Sequence, residues 1–250
     1  MADALIGLIA LPLAGALATL LLPRWKTATA IGTGLASTVA AGLLLFGVAT
    51  QGALHYEIGG WSAGLGIALR ADGLSALLLM MTALVALAAS IYASAYFNAA
   101  SERARFWPLW LLLWTALNAL LLSGDLFNLY VTLELLGLSA VALASLGGKQ
   151  AAVAAALRYL LVGLLGSMMF LAGVSLLYAG YGTLDLAALS HMVAPGPIAW
   201  TALALMTTGL LLKTALFPLH FWLPPAHASA PAPVSAVLSA LVVKAAFYLV

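Results

Sequence analysis

Two lysines, Lys213 and Lys244, lie inside runs that are otherwise apolar, in the stretch GLLLKTALFPLHFWLPPAHASAPAPVSAVLSALVVKAAFYLV from Gly209 to Val250. A lysine at the centre of a membrane helix costs about 2.5–3.5 kcal/mol on insertion scales, so two of them need a reason. Between them come Pro218, His220, Pro224–Pro225, His227, Pro231 and Pro233. Pro218 has no N–H and cannot bond the carbonyl of Thr214, which predicts a broken helix beside Lys213. A broken helix next to an ionisable group is a way to build an ion site inside a membrane. Two further charges fall within apolar runs, Glu134 and Arg158. Desolvation and a nearby carboxylate pull a lysine's protonation in opposite directions, so the proton is movable when such a pair opens. A chain of groups of this kind is a proton relay.

These residues must be held by membrane helices. The chain has 250 residues, 65% hydrophobic and 6% charged. A globular domain usually carries about 25% charged residues, so the solvent of this surface is lipid. A formal net charge of +2, with no basic run and no glycine-rich phosphate loop, excludes nucleic acid as a partner. With no cysteine, disulfides, cysteine-ligated clusters and thiol catalysis are excluded within this sequence. No metal site, cofactor site or catalytic centre is expected. His220 and His227 have no carboxylate or cysteine neighbours in sequence.

Apolar runs near 20 residues long predict about eight transmembrane helices, at 4–22, 28–49, 73–97, 107–123, 126–146, 150–180, 198–224 and 232–250. Their length and lack of alternation exclude barrel strands. The expected fold is an all-α polytopic bundle with a seventh helix broken at Pro218. Asp3, the absence of a basic leader, and Arg24 and Lys26 after the first run mark that run as a retained helix. Residues 50–72 predict a small surface hairpin around Gly59–Gly60. Residues 181–197 predict a short amphipathic helix, with Thr183 as N-cap and Pro195–Gly196–Pro197 as its stop.

Charge placement sets an orientation. Arg24, Lys26, Arg103, Arg105 and Lys149 occupy alternate loops, whereas Glu57, Asp72, Asp125 and Asp185 occupy the others, with Arg70 their one cation. The positive-inside rule puts the first group in the cytoplasm and both chain ends outside, in the plasma (inner) membrane. Counted at 1.5 Å per residue, Glu134 lies about 12 Å from the outer end of its helix and Arg158 about 12 Å from the inner end of its own. Lys213 is roughly 22 Å from outside and Lys244 roughly 18 Å from inside, so all four share a central band. A Glu134–lysine pair that only glues helices remains an alternative. Arg158 can equally snorkel to the inner interface. His220 lies seven residues after Lys213, on one face if the helix continued, and relays a proton or caps freed backbone. His227, at the inner loop, takes up protons or has no role. His55 and His191 sit in outer loops and receive none. Trp61, Trp107 and Trp200 fall near span ends, as an aromatic belt requires. Gly163, Gly166 and Ser167 suggest close helix packing rather than chemistry.

Three segments carry a family resemblance. SGDLFNLYVTLELLGL, from Ser123 to Leu138, is similar to a fifth-helix motif whose glutamate pairs with a lysine; here that glutamate is Glu134. Leu157–Arg158–Tyr159 matches a sixth-helix position that is often lysine. LKTALFPLHFWLPPA, from Leu212 to Ala226, and PAPVSAVLSALVVKAAFYL supply Lys213, Pro218, His220 and Lys244 at matching positions. The chain resembles the antiporter-like membrane subunits of multisubunit cation/proton antiporters, respiratory complex I and membrane-bound hydrogenases. The resemblance implies three leading helices in residues 1–106, a first five-helix repeat in 107–250, and the second, inverted repeat absent. It implies a proton-translocating subunit that works with other membrane subunits, lipid, H+ and Na+. GDLFNLYV leans toward the D-type subunit of the sodium/proton antiporters. The alternatives are a proton-pumping arm subunit of an NADH:quinone oxidoreductase or hydrogenase, where the redox step lies in other chains, and a truncated scaffold that does not conduct. Arginine at position 158 holds its proton tightly, which weakens a titrating role there.

Overall fold

Apolar residues on every side of one helix force it to the middle of the bundle. That helix is α4 (Ala100–Leu122), and Trp107, Trp110 and Trp114 along it are fully buried. The computed structural model describes residues 3–60 and 66–250. Around α4 pack α1 (Asp3–Leu21), α2 (Lys26–Gln51), α3 (Gly73–Tyr96) and α5 (Leu126–Ala144). Buried indoles usually find acceptors, and two of these three do, the Trp114 N–H having none among the described residues. The Trp107 Nε1–H donates to Thr27 Oγ1 at 3.1 Å and the Trp110 Nε1–H to Ser90 Oγ at 2.8 Å. The Asn118 amide donates to the Leu8 carbonyl at 2.7 Å, tying α4 to α1. Trp107 is therefore a packing residue and not a belt residue, whereas Trp200 is exposed. Trp61 lies outside the described residues.

The second half is built on α6 (Gln150–Tyr181) and α8 (Pro197–Lys213), which pack along each other, with α6 also packed against α5. α7 (Leu186–Met192), α9 (Leu223–Ser229), α10 (Ala232–Val237) and α11 (Val243–Tyr248) are short, and a π turn at Leu238–Val242 joins the last two. Among the described residues, six helices are long and apolar enough to cross a membrane, and Pro197–Lys213 and Ala232–Tyr248 are shorter apolar segments. The chain is a multi-pass membrane protein.

The hairpin forms as expected. β1 (Leu54–Glu57) pairs antiparallel with β2 (Ala68–Ala71), Leu54 opposite Ala71. Gly59 and Gly60 beside it take φ of 75° and 71°, a region that glycine enters without steric cost. Asp72 then caps α3, its carboxylate accepting from the Ser75 N–H at 2.9 Å.

Two local expectations change. The 181–197 segment is capped by Asp185, whose carboxylate accepts from the Ala188 N–H at 2.8 Å, while Thr183 Oγ1 accepts from the Asp185 N–H at 3.3 Å. α7 ends at Met192, and Pro197 opens α8 at its first turn instead of stopping the helix before it. Proline suits that place because the first helical N–H has no partner anyway.

The connections gather at two ends. Leu69 bridges Ser123, and Asp125 bridges Asp185, so the hairpin and the α4–α5 and α6–α7 connections share one end. The other end brings together Phe97, Arg105, Lys149 and Ala230.

Candidate functional site

The site sits where α8 stops. Lys213 is its last residue and Thr214 its C-cap. A cation there meets the negative end of the helix dipole. The chain turns because Ala215 takes φ 53°, a left-handed conformation that costs a non-glycine residue about 1–2 kcal/mol. Tertiary contacts hold it there. The Trp222 Nε1–H donates to the Leu212 carbonyl at 3.0 Å, and the Ala215 N–H to the same oxygen at 3.3 Å. Trp222 also stacks on Tyr159 of α6, with ring centroids 4.4 Å apart. The helix thus ends before Pro218 is reached. The Leu212 carbonyl accepts from the indole as well as from the backbone, and among the described residues no N–H bonds the Thr214 carbonyl, the one that Pro218 cannot reach.

Glu134 comes from the middle of α5. Its Oε1 lies 3.3 Å from Lys213 Nζ, with the two side chains 20% and 10% exposed. Ser167 of α6 donates its hydroxyl to the same oxygen and also contacts the Gly163 carbonyl at 3.0 Å. The carboxylate therefore holds two donors from two helices.

Glycines permit this approach. A Cβ on Gly209 would run into the Gly166 carbonyl oxygen, and one on Gly166 would lie 2.7 Å from the Gly209 carbonyl oxygen. The two backbones touch one turn before Lys213 and beside Ser167. Gly137, one turn after Glu134, leaves a space whose Cβ position is 3.9 Å from Lys213 Nζ. A cavity of about 30 Å³ opens among Glu134, Gly137, Tyr159, Gly163, Lys213 and Ala246. A water needs about 10–15 Å³ measured this way, so the space holds one or two beside the pair. The arrangement can bind a proton on Lys213, hold it with a hydrogen-bonded counter-charge, and hydrate it.

With that geometry in view, residues 123–250 match the family described as "NADH:quinone oxidoreductase/Mrp antiporter, TM". The chain belongs to this family. The match includes Glu134, Ser167 and Lys213. NADH-quinone oxidoreductase subunit N of Desulforudis audaxviator is 41% identical over 199 residues, which are 78% of this chain and 40% of the relative. The D-type subunit of the Na(+)/H(+) antiporter of Bacillus subtilis is 35% identical over 215 residues, 84% of this chain and 43% of that one. The chain spans about two fifths of the length of these curated relatives. A chain in the structure of the membrane-bound sulfane sulfur reductase, an archaeal respiratory membrane complex, superposes with a TM-score of 0.94 at 30% identity, covering 100% of this chain and 52% of that one.

The remaining predicted residues of this family member lie apart from the pair. Lys244 is exposed and donates Nζ–H to the carbonyl of Ser239, five residues back, at 2.6 Å. The π turn makes that reach possible: the Val243 N–H bonds the Leu238 carbonyl, five residues back rather than four. Val242 and Ala246, on either side of Lys244, line the cavity that Lys244 itself does not. Arg158 is exposed and makes no ion pair among the described residues. His220 is 5.6 Å from the Phe217 ring between centroids. Its expected helical alignment with Lys213 does not carry across the interruption. His227 Nδ1 lies 2.9 Å from Ser235 Oγ. Burial, then the charge of Lys244, holds its imidazole below the ordinary range, and its Ser235 contact works the other way.

Sequence reasoning missed Ser167 as a site residue. A lone hydroxyl in the apolar stretch LLGSMMF was its only signal, and that signal also fits close packing. The Gly166–Gly209 contact depends on which faces of α6 and α8 meet.

Proposed function

We propose that this chain is a proton-translocating membrane subunit of a multisubunit cation/proton antiporter. The observation that carries the reading is the Glu134–Lys213 pair, buried at the end of an interrupted helix and contacting water-sized space. Glu134, held by Ser167, keeps Lys213 protonated. When the pair opens, the proton leaves through the hydrated space that Val242 and Ala246 border, toward Lys244 on the far side of the same segment. His220 and His227 exchange protons with the cation-bearing end, and Arg158 serves as a fixed charge.

In this reading α8 and the segment after it form a seventh crossing, broken at Lys213 and spaced by Pro218. The segment Ala232–Tyr248 forms the eighth. Residues 1–106 hold the leading helices and 107–250 a five-helix repeat. The N-terminus lies outside, and the working unit includes other membrane subunits, with H+ and Na+ as the ions. Relatedness to the D-type antiporter chains supports it. A second reading, a proton-pumping arm subunit of a quinone-reducing complex, draws support from the 41% identity to an NADH-quinone oxidoreductase subunit. Both readings use the same pair.

Glu134→Gln tests the shared core. It keeps the shape and removes the counter-charge, so proton flux in vesicles carrying the assembled complex should fall at least tenfold, about 1.4 kcal/mol of barrier. Wild-type flux would reduce Glu134 to a packing residue.

A further inference from the structure

At the cation-bearing end, a cavity of about 320 Å³ lies between the end of α3, the start of α4, the α5–α6 turn and the α9–α10 joint. That volume falls in the range of roughly 300–1,000 Å³ typical of small-molecule sites. Arg105 and Lys149 line it from two different helices, with Phe97, Gly147 and Ala230 between them and Glu102 on the rim. Neither cation has a carboxylate within 4.0 Å among the described residues. Arg105 makes one long hydrogen bond, Nε–H to the Ser101 carbonyl at 3.4 Å, which leaves its terminal guanidinium nitrogens free for a ligand. Lys149 makes none among the described residues and is the N-cap of α6, with no side-chain cap on that helix. The first amides of a 32-residue helix therefore add their partial positive charge beside the two cations.

Two unpaired cations around a cavity, against one carboxylate, call for an anion with oxygens for both. The surroundings say which. Tyr92 and Tyr96 of α3 and Val153 of α6 lie exposed near the same end, an apolar shoulder of the kind acyl chains cover. Basic pockets between membrane helices on the inner side are where anionic headgroups bind. We infer that this cavity binds the phosphate of an anionic phospholipid, bridged by Arg105 of α4 and Lys149 of α6. A lipid there would join the α3–α4 and α5–α6 connections from outside. The inference is independent of ion transport, because its readout is binding.

The test is titration of the purified full chain in detergent with phosphatidylglycerol or phosphatidylcholine, counting bound lipids by native mass spectrometry. The first phosphatidylglycerol should bind tighter than phosphatidylcholine. Arg105→Gln and Lys149→Gln should each weaken it about fivefold, from roughly 1 kcal/mol per surface cation, and together abolish the preference. Glu102→Gln should tighten it, which a loss of fold could not do. Arg24→Gln with Lys26→Gln, at the same end but outside the cavity, should leave it unchanged. Retained preference in the Arg105/Lys149 double variant, or equal loss in the Arg24/Lys26 control, would overturn the site. So would binding of inorganic phosphate with no preference between the two lipids, which would assign the cavity to a soluble anion.

Discussion

Lys213 ends a helix, is 10% exposed, and has Glu134 3.3 Å away. Lys244 lies within an apolar segment, is exposed, and gives its ammonium to its own backbone at Ser239, 2.6 Å away. The first charge is stabilised by other helices, through a carboxylate that itself takes a hydroxyl from Ser167. The second is stabilised within its own segment, by a π turn that offers a carbonyl. The two lysines therefore differ in what surrounds the charge. The paired lysine is enclosed by neighbouring helices, whereas the lysine on the carbonyl meets whatever covers its face. Lys213 lines the small cavity with Val242 and Ala246, whereas Lys244, between those two residues in the chain, does not.

Forcing apart the helices that make the first environment should have the largest effect. Gly209→Leu places atoms where the Gly166 carbonyl now sits. Overpacking of this kind costs about 1–3 kcal/mol and sometimes more, so thermal unfolding in detergent should show a large loss. Gly163→Ala, with nothing within 4 Å of its Cβ, should stay within about 0.5 kcal/mol of wild type. Equal losses in the two would remove the glycine contact from the account.

Ser167→Ala should come next. A hydrogen bond to a charged group contributes about 1.5–3 kcal/mol, and the lower end applies because Lys213 still holds the carboxylate. The loss should shrink in a Glu134→Ala background, as a double-mutant cycle on unfolding would read. The same loss in both backgrounds would mean that Ser167 only packs.

The smallest effect belongs to the second lysine. Lys244→Met breaks no ion pair, so stability should move by less than about 0.5 kcal/mol. Its signature is elsewhere: His227, depressed by burial first and the Lys244 charge second, should titrate closer to its ordinary 6.5 in histidine-labelled NMR spectra. A depressed histidine contributes stability that is present above 6.5 and lost as pH falls through the folded value, so Lys244→Met should also narrow that window. An unmoved His227 would show that the Lys244 charge does not reach it.

Residue types made the outline legible. Sparse charge and long apolar runs specify a membrane bundle, and two lysines with one glutamate mark the costs that need a reason. Gly59–Gly60 marked the hairpin because few residues tolerate its φ. The end of α8 was hidden. Pro218 is a strong breaker, but the helix stops at Lys213 through a left-handed Ala215 and a Trp222–Leu212 bond, neither of which local propensity encodes. Thr183 and Asp185 are both good caps two residues apart, and only the Asp125–Asp185 bridge selects the second. Trp107 near a span end reads as an interface anchor until Thr27 is found beside its indole.

In the proposed function, residue 213 gives up its proton. Lys213→Arg keeps the charge and can still pair with Glu134, but guanidinium holds its proton far too tightly to pass it on. Proton flux should be compared at equal expression, in membranes carrying the assembled complex. The arginine variant should assemble normally and lose flux, as Lys213→Ala should. Flux at the wild-type rate would contradict the proposal, because Lys213 would then be only a fixed charge opposite Glu134.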